Sequence, residues 1–364
     1  MDSFIKVTTD YFGNPSSLHG LGGEAEKLLT KARKQVSELL EVKPSEIIFT
    51  SGGTESNNLA IKGVAIQHRN RGNHLITTTI EHASVKETFH QLEELGFRVT
   101  YIPVDEEGRV KATDIENAIS QDTILVSVMH VNNEVGTIQP IIEIGNLLKN
   151  YPKIMFHVDN IQGIGKVPLH LYKSSVDLCS FSAHKFHGLK GTGFLYIRDG
   201  IKISPLLTGG SQEKKHRSGT ENVAGMVALA RALRMSLNNE KTQLENLKNV
   251  KETILKGIQN VEEITVHTPS NGAAPHIINF SIKGFKAEVF VHALEDKDIY
   301  VSTTSACSSK KQASSSTLIA MGVAEDTAKS AIRLSLAYNN TVEEALFVVD
   351  AIKETITKLK EVMN

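Results

Sequence analysis

The sequence predicts an α/β protein in which a mainly parallel sheet, covered by helices, precedes a smaller α+β domain. Strand-like and helix-like segments alternate between residues 24 and 196, as they do when helices connect parallel strands. A helical segment over 240–259 interrupts this alternation, and further strands and helices follow it. With 364 residues the chain is long enough for roughly two domains of about 150 residues each. We therefore expect a large domain over 14–235 and a small domain made of 1–13 and 236–364.

The individual elements follow from the spacing of apolar residues. Apolar residues three or four apart indicate helices, and short runs rich in Val, Ile and Phe indicate strands. In the large domain the predicted elements are helix 24–40, strand 47–49, helix 51–64, strand 74–80, helix 83–95, strand 124–131, helix 141–148, and strands 154–158, 176–181 and 194–197. In the small domain they are strands 277–282, 299–302 and 331–336 and helices 287–296 and 342–362.

Composition and charge exclude several classes of protein. The chain has 40 basic and 41 acidic residues and no long run of either, so neither direct nucleic-acid binding nor binding to a charged membrane surface is indicated. No apolar run approaches the roughly 18 residues of a spanning helix, and the first residues lack the basic start of a signal peptide. A cytoplasmic protein is expected. Of the two cysteines, Cys179 lies in an apolar strand and is predicted to be core, whereas Cys307 lies in a polar loop.

Lys185 is the residue around which the predicted site is organised. It follows the apolar strand 176–181, and a glycine-rich turn and a second short strand come after it. Burial of an ammonium group lowers its pKa, which is what a lysine needs to form a Schiff base with a carbonyl compound. The alternative is a hairpin that carries a solvated lysine, since lysines are mostly exposed.

Polar residues follow other predicted strands, at the sheet edge where open α/β sheets bind their ligands. Gly52, Gly53 and Thr54 lie between a strand and a helix, so backbone N–H groups, a hydroxyl and the positive helix end can all point at a phosphate. The alternative is a plain turn in which Thr54 caps the helix. The lysine of an ATP-type phosphate loop is missing. Ser182 and His184, beside Lys185, can reach the same phosphate.

Three further strand ends suit a flat, aromatic ligand. His82 can stack on a ring or shuttle protons, although a lone histidine also caps or packs. Asp159 ends a strand, with Gln162 three residues later; a carboxylate keeps a pyridine nitrogen protonated, and an amide can hold a phenolic oxygen. Asn132 and Asn133 follow a third strand. For Asn132 and Asn133 the alternative is a solvated turn, and for Asp159 and Gln162 it is the mere start of a turn.

In this order and spacing the motifs resemble those of the fold-type I pyridoxal phosphate enzymes, and within them the class V aminotransferase group that contains the cysteine desulfurases. The resemblance extends over residues 14–333. It is carried by Gly53-Thr54, His82, Asp159-x-x-Gln162, Ser182-Ala183-His184-Lys185, Arg217-Ser218-Gly219-Thr220, Ser305-Ala306-Cys307-Ser308 and Arg333-Leu334-Ser335. It implies a large cofactor-binding domain with a mainly parallel seven-stranded sheet and a smaller α+β C-terminal domain.

The resemblance also implies a cofactor and the residues that bind it. Pyridoxal 5'-phosphate is expected at Gly53, Thr54, His82, Asp159, Gln162, Ser182, His184 and Lys185, with Thr220 reaching the phosphate of the neighbouring subunit of a homodimer. No metal is implied.

The implied reaction is the removal of sulfur from L-cysteine. Lys185, His82 and Cys307 are the implied catalytic residues, and Asn132 and Arg333 are expected to hold the substrate carboxylate. Attack of the Cys307 thiolate on the substrate sulfur leaves L-alanine and an enzyme-bound persulfide. The long cysteine loop resembles that of desulfurases that pass sulfur to a scaffold protein for iron–sulfur cluster assembly or to a tRNA-thiolating enzyme.

Two departures from the family pattern leave alternatives open. Asn160-Ile161 fills the slot between Asp159 and Gln162, where many relatives have smaller residues, and Ile161 can crowd one face of the ring. Relatives usually begin with a strand resembling Tyr-Leu-Asp-Asn-Ala-Ala-Thr-Thr, whereas this sequence starts in what looks like the following helix. The alternatives are another enzyme of the group, such as a selenocysteine lyase or an aminotransferase, and a catalytically weakened partner protein that keeps the fold.

Overall fold

The computed structural model describes residues 1–303 and 314–363, and the chain divides into two compact units. The first unit consists of Met1–Ile102, Lys111–His130 and Pro140–Asn238; the second consists of Pro103–Val110, Val131–Gln139 and Asn239–Asn364. Residues 1–13, which we expected in the small domain, belong to the first unit. They do so because Val7 packs with Ala25, Val223 and Ala224 in a small apolar cluster.

The first unit alternates helices and strands. In chain order they are α1 (Asp2–Asp10), α2 (Gly20–Leu39), β1 (Ile47–Thr50), α3 (Gly53–His68), β2 (His74–Thr78), α4 (Ala83–Glu94), β3 (Arg98–Ile102), α5 (Ala112–Ala118), β4 (Thr123–Met129), α6 (Ile141–Leu148), β5 (Met155–Asp159), β6 (Leu178–Ser182), β7 (Gly193–Ile197) and α7 (Val223–Ile258). The last of these continues into the second unit.

The strands of the first unit form one seven-stranded sheet in the order β1-β7-β6-β5-β4-β2-β3. β7 pairs antiparallel with both of its neighbours, and every other pairing is parallel. Every residue of the strands is buried except in β3 at one edge. Strands buried on both faces read as continuous apolar runs, which is why the sequence made this sheet predictable. The prediction of a mainly parallel seven-stranded sheet is confirmed.

Helix α3 contributes much of the apolar core on one face of this sheet. Its Leu59, Ile61 and Val64 are fully buried and pack with strand residues such as Leu75 and Leu125. At about 25 cal/mol per Å² of buried apolar surface, each of these side chains contributes roughly 1.5–3 kcal/mol. The burial of these side chains therefore anchors α3 on the sheet.

The second unit is an α+β arrangement, as predicted. Its elements are β8 (Ile264–Val266), β9 (Ile277–Ile282), α8 (Ala287–Glu295), β10 (Ser302–Thr303), α9 (Ser316–Ala320), α10 (Glu325–Lys329), β11 (Ala331–Ser335) and α11 (Val342–Met363). The antiparallel sheet has the order β10-β11-β9-β8. Phe280 of β9, Phe290 of α8 and Ile352 of α11 are buried in its apolar core.

The structure corrects some predicted boundaries. The strand predicted over 299–302 is wrong for its first three residues, because the Ile299 N–H donates to the carbonyl of Leu294 and so closes the end of α8. The helix predicted over 240–259 begins instead at Val223, and β3 and α5 were not predicted. Among the described helices, including the 36-residue α7, none has the length and apolar character needed to span a bilayer.

Candidate functional site

Three adjacent strands of the first unit bring the glycine turn and the Ser182 segment together. Gly193 of β7 lies opposite Thr50 of β1 on one side and opposite Ser182 of β6 on the other. A Cβ on Gly193 would lie 2.6 Å from the Gly52 Cα and 2.6 Å from the Phe181 carbonyl oxygen. A glycine is required there, and its absent side chain lets the turn after β1 approach the end of β6.

The turn that precedes α3 contains a glycine in an unusual backbone conformation. Gly52 has a φ of 147°, a backbone conformation that L side chains rarely adopt. The N–H groups of the first turn of a helix have no carbonyl partner within the helix, and the helix end carries a partial positive charge. Thr54 is exposed on this turn. Ser182 lies beside it, and its hydroxyl is 2.9 Å from the His184 Nδ1.

Asp159 is the buried acid of the site. It ends β5 with only 4% of its surface exposed. The Asn57 side-chain amide donates to its Oδ2 at 2.8 Å, and the Ile161 backbone N–H donates to its Oδ1 at 3.0 Å. Burial raises the pKa of the Asp159 carboxyl, while these hydrogen bonds and the nearby charges of His82 and Lys185 act to lower it. The structure therefore brings Asp159, His82 and Lys185 together.

His82 has the capping role that we kept as an alternative. It is the N-cap of α4, and its Nδ1 accepts a hydrogen bond from the Ser84 backbone N–H at 3.1 Å. The Ser84 hydroxyl lies 2.9 Å from the same nitrogen. This anchoring fixes the half-buried ring at the end of the Ile80–His82 connection, beside Asp159.

Lys185 lies in a short 3₁₀ turn, Ala183–Phe186, directly after β6. Its side chain is half-buried rather than solvated. Phe186 is buried beside it, and the Gly188 N–H donates to the Ala183 carbonyl at 2.8 Å, which closes the turn. Gln162 is half-buried in the turn after Asp159. Cys179, in β6, is fully buried, which confirms that it is a core residue.

The segment predicted to reach a partner's phosphate lines a cavity of about 190 Å³ in the first unit, bounded by Ser51, Arg217, Thr220 and Met226 among others. Thr220 is exposed. Arg217 forms a salt bridge of 2.9 Å with Glu55 in the first turn of α3. The segment therefore lies next to the glycine turn of its own chain.

Two predicted substrate residues belong to the second unit. Asn132 is fully buried, and its Oδ1 accepts hydrogen bonds from the backbone N–H groups of Glu134 and Val135 at 2.9 and 3.0 Å. Arg333 of β11 donates from Nη1 to the Asn133 carbonyl at 3.0 Å, so the two predicted residues lie on adjoining segments. Its buried Nε has no hydrogen-bond partner within residues 1–303 and 314–363. Cys307 lies outside the described residues.

Sequence reasoning missed three polar residues near the site. Asn57 lies four residues after Gly53 on α3, a spacing that could have been read as one helix face. Glu81 precedes His82, and its Oε1 accepts from the Thr78 hydroxyl at 2.8 Å and from the Met129 N–H at 2.9 Å. Burial raises the pKa of Glu81 to about 8. Lys166 is buried and its Nζ donates to the Lys185 carbonyl at 3.0 Å, and no pattern in the sequence indicates this burial.

Comparison with known proteins agrees with this geometry. The family model for aminotransferase class-V matches residues 1–347. A NifS/IcsS protein homolog from Lactobacillus delbrueckii subsp. bulgaricus is 52% identical over 347 residues, covering 95% of this chain and 90% of that protein. Cysteine desulfurase IscS from Clostridium botulinum is 42% identical over 364 residues, covering 99% and 91%. A solved NifS-like protein superposes with a TM-score of 0.91 at 39% identity, covering 98% and 94%. The predicted resemblance is confirmed: the chain belongs to the aminotransferase class-V family.

Proposed function

We propose that this protein is a pyridoxal phosphate-dependent cysteine desulfurase, which converts L-cysteine to L-alanine and an enzyme-bound persulfide. The observation that carries the proposal is the clustering of Asp159, His82 and Lys185 beside a glycine turn at one end of the sheet. Its relatives named cysteine desulfurase cover nearly the whole chain, which makes the same reaction the simplest inference.

The residues of the first unit fit the cofactor. The glycine cradle at the start of α3 suits its phosphate, with Thr54, Ser182 and His184 as side-chain donors. Asp159 suits the ring nitrogen, because a cationic ring would favour the ionised form of a carboxyl that burial otherwise makes costly to ionise. His82 is placed to stack on the ring, and Gln162 to hold its phenolic oxygen. When bound, pyridoxal phosphate supplies an electron sink for charge that develops at the substrate Cα.

Lys185 has two roles in this proposal. Its amine would hold the cofactor covalently, and as a free amine it could carry a proton to or from the substrate Cα. A half-buried lysine beside a buried carboxylate suits both roles, because its surroundings limit water and fix its reach. His82 is the second group placed to move a proton.

The second unit supplies the residues proposed for substrate recognition and sulfur transfer. Arg333 carries a buried Nε that lacks a partner in the described part of the chain, and a guanidinium with spare donors suits an α-carboxylate. Asn132 assists it. Cys307 is the proposed sulfur carrier: its thiolate attacks the substrate sulfur, the Cβ–S bond breaks with its electrons left on the carbon, and Cβ takes up a proton, which makes the methyl group of L-alanine.

The proposal includes a homodimer, in which Thr220 reaches the phosphate bound by the neighbouring subunit. It also includes a sulfur-acceptor protein, either a scaffold for iron–sulfur cluster assembly or a tRNA-thiolating enzyme, and a cytoplasmic location. The exposure of Thr220 in the first unit supports the shared site.

The test is production of alanine from L-cysteine by the purified protein supplied with pyridoxal phosphate. Wild type should release alanine and sulfide under a thiol reductant, while Lys185→Ala should give neither and should lose the borohydride-trapped cofactor adduct. Lys190→Ala, in the exposed turn five residues later, is the matched control and should keep both. Alanine from selenocysteine but not from cysteine, or amino transfer to a keto acid instead, would favour the alternative enzymes and contradict the proposal.

A further inference from the structure

Lys166 is a buried lysine that the proposed reaction does not use. Only 7% of its surface is exposed, and its Nζ donates a hydrogen bond to the backbone carbonyl of Lys185 at 3.0 Å. A buried ammonium group is costly unless its donors are satisfied. Lysines whose only role is to keep a protein soluble are exposed to water, whereas Lys166 is not. The contact with Lys185 therefore calls for a functional explanation.

The segment that carries Lys166 begins at Asp159 and is wound into a tight turn. The Ile164 N–H donates to the Asn160 carbonyl at 3.2 Å, and the Lys166 N–H donates to the Gly163 carbonyl at 3.0 Å. A Cβ on Gly163 would lie 2.2 Å from the Asn160 Oδ1. The close packing of this turn fixes where its last residue, Lys166, emerges relative to Asp159.

Gly165 constrains the same turn from a second side. It has a φ of 68°, in the left-handed region, and a Cβ there would lie 2.2 Å from the Ser236 Oγ on α7. The turn is therefore packed against a long helix with no room for a side chain. From this tightly packed turn the Lys166 side chain reaches the Lys185 carbonyl in the 3₁₀ turn after β6.

The turn that carries Lys185 needs such a contact. The Ala183 carbonyl accepts hydrogen bonds from the N–H groups of both His187 and Gly188, so it is already satisfied. His187 has a φ of 61°, which ends the 3₁₀ turn one residue after Phe186. The Lys185 carbonyl faces Lys166 instead, and Lys166 replaces the backbone donor that a longer helix would have provided. The charge of Lys166 also acts here, because together with burial it lowers the pKa of His187.

We propose that Lys166 is a positioning residue that fixes the backbone of Lys185 relative to the Asp159–Gln162 turn. This inference rests on the proposed function, in which Lys185 and Asp159 hold opposite parts of one cofactor. Because Lys166 joins the two turns directly, its loss frees the Lys185 backbone while leaving Asp159 and Gln162 unchanged. Small displacements of a reacting group cost far more in rate than in binding, so kcat should fall more than KM rises.

The test compares Lys166→Met, which keeps the length and apolar stem but has no donor, with Lys166→Arg, which restores a charged donor. Lys173→Met, an exposed lysine in the same connection between β5 and β6, is the matched control. In cofactor-free protein, amide hydrogen exchange of residues 183–188 should be about tenfold faster in K166M than in wild type or K173M, the effect of one charge-assisted hydrogen bond. K166R should restore most of the protection.

The second readout is the borohydride-trapped adduct on Lys185 at equal, limiting pyridoxal phosphate. K166M should trap about tenfold less adduct than K173M, and K166R should trap an intermediate amount. If K166M shows the same exchange and the same trapping as K173M, Lys166 has no positioning role. If K166M does not fold, Lys166→Gln, which keeps one neutral donor, is judged by the same two readouts. Absence of any adduct in wild type would contradict the proposed function instead, while the exchange experiment still tests the contact between Lys166 and Lys185.

Discussion

The side-chain amide of Asn57 lies 2.8 Å from the Asp159 carboxylate, and the same amide nitrogen lies 2.9 Å from the Ser84 hydroxyl. Asn57 thereby links the helix that follows the glycine turn to the buried acid and to the helix that His82 caps. A hydrogen bond to the charged form of a buried carboxyl favours ionisation. Asn57 therefore helps Asp159 to stay ionised beside the ring of the proposed cofactor.

Replacement of Asn57 by Ala should weaken cofactor binding. Loss of one hydrogen bond to a charged group costs roughly 1.5 kcal/mol or more, so the dissociation constant for pyridoxal phosphate should rise by about tenfold. An absorbance titration measures it. Gln67→Ala, an exposed change on the same helix, is the control. Equal dissociation constants for the two variants would show that Asn57 does not act on Asp159.

Glu81 should make stability fall as pH rises. Its folded pKa is raised to about 8 by burial, above the ordinary value of 4.5. The folded chain therefore keeps a proton that the unfolded chain has already lost, and between about pH 4.5 and 8 each pH unit costs up to about 1.4 kcal/mol of unfolding free energy. Glu81→Gln, a neutral isostere, should remove this slope and be more stable than wild type at pH 8. Urea unfolding at pH 5.5 and 8 measures both effects. If the unfolding free energies of wild type and Glu81→Gln change equally between these two pH values, Glu81 is ionised throughout.

His157 should make stability fall as the pH falls, which is opposite to the effect of Glu81. Its ring lies between the Ser127 and Ser180 hydroxyls at 2.8 and 2.9 Å, and burial lowers its pKa to about 3. The unfolded chain takes up a proton below pH 6.5 while the folded chain does not, so this contribution to stability is lost as the pH falls from 6.5 toward 3. His157→Asn should lower stability at pH 7 and reduce the loss between pH 6.5 and 4.5.

The control for this experiment is His90→Asn, since His90 lies on the exposed side of α4. It removes an exposed imidazole and leaves the two hydrogen bonds of His157 unchanged. Urea titrations at pH 6.5 and 4.5 give the unfolding free energies that are compared. A His157→Asn slope equal to that of His90→Asn would show that His157 is protonated in the folded protein.

Gly193→Ala should lower the stability of the fold and distort the turn at Gly52. The added Cβ would lie 2.6 Å from the backbone of Gly52 and of Phe181, neither of which can yield as a flexible side chain can. We expect a loss of roughly 1–3 kcal/mol and weaker retention of the cofactor phosphate. Gly23→Ala, with nothing near its Cβ in α2, should instead be neutral or slightly stabilising. Thermal melting of the two cofactor-free variants gives the comparison, and equal melting temperatures would contradict the required close approach.

The sequence predicted the sheet well because its strands are buried on both faces and therefore read as apolar runs. β3 escaped prediction because it is a partly exposed edge strand with mixed composition, beginning at Arg98. The start of α7 escaped because it follows an irregular segment, in which Glu213 has a positive φ and is held by a bidentate pair with Arg33. Such long-range pairs leave no periodic signal.

The candidate site also contains residues that the sequence predicted and residues that it did not. The positions of Asp159, His82 and Lys185 at or after buried strands could be predicted, because polar residues there are conspicuous, while their roles stay predictions. Asn57 and Lys166 were not, because each acts through one contact made across the fold, to Asp159 in one case and to the Lys185 carbonyl in the other. A lysine in a turn is ordinary in sequence, and only the three-dimensional structure shows that this one is buried.

Mass spectrometry of the protein after brief exposure to L-cysteine and pyridoxal phosphate detects the proposed persulfide on Cys307 directly. We expect a mass increase of one sulfur atom on Cys307, formed together with an equal amount of L-alanine, and absent from Lys185→Ala. Cys179, fully buried in β6 with its thiol pKa raised by burial, should remain unmodified. Alanine release without sulfur on Cys307, or a persulfide on Cys179 alone, would contradict the proposal.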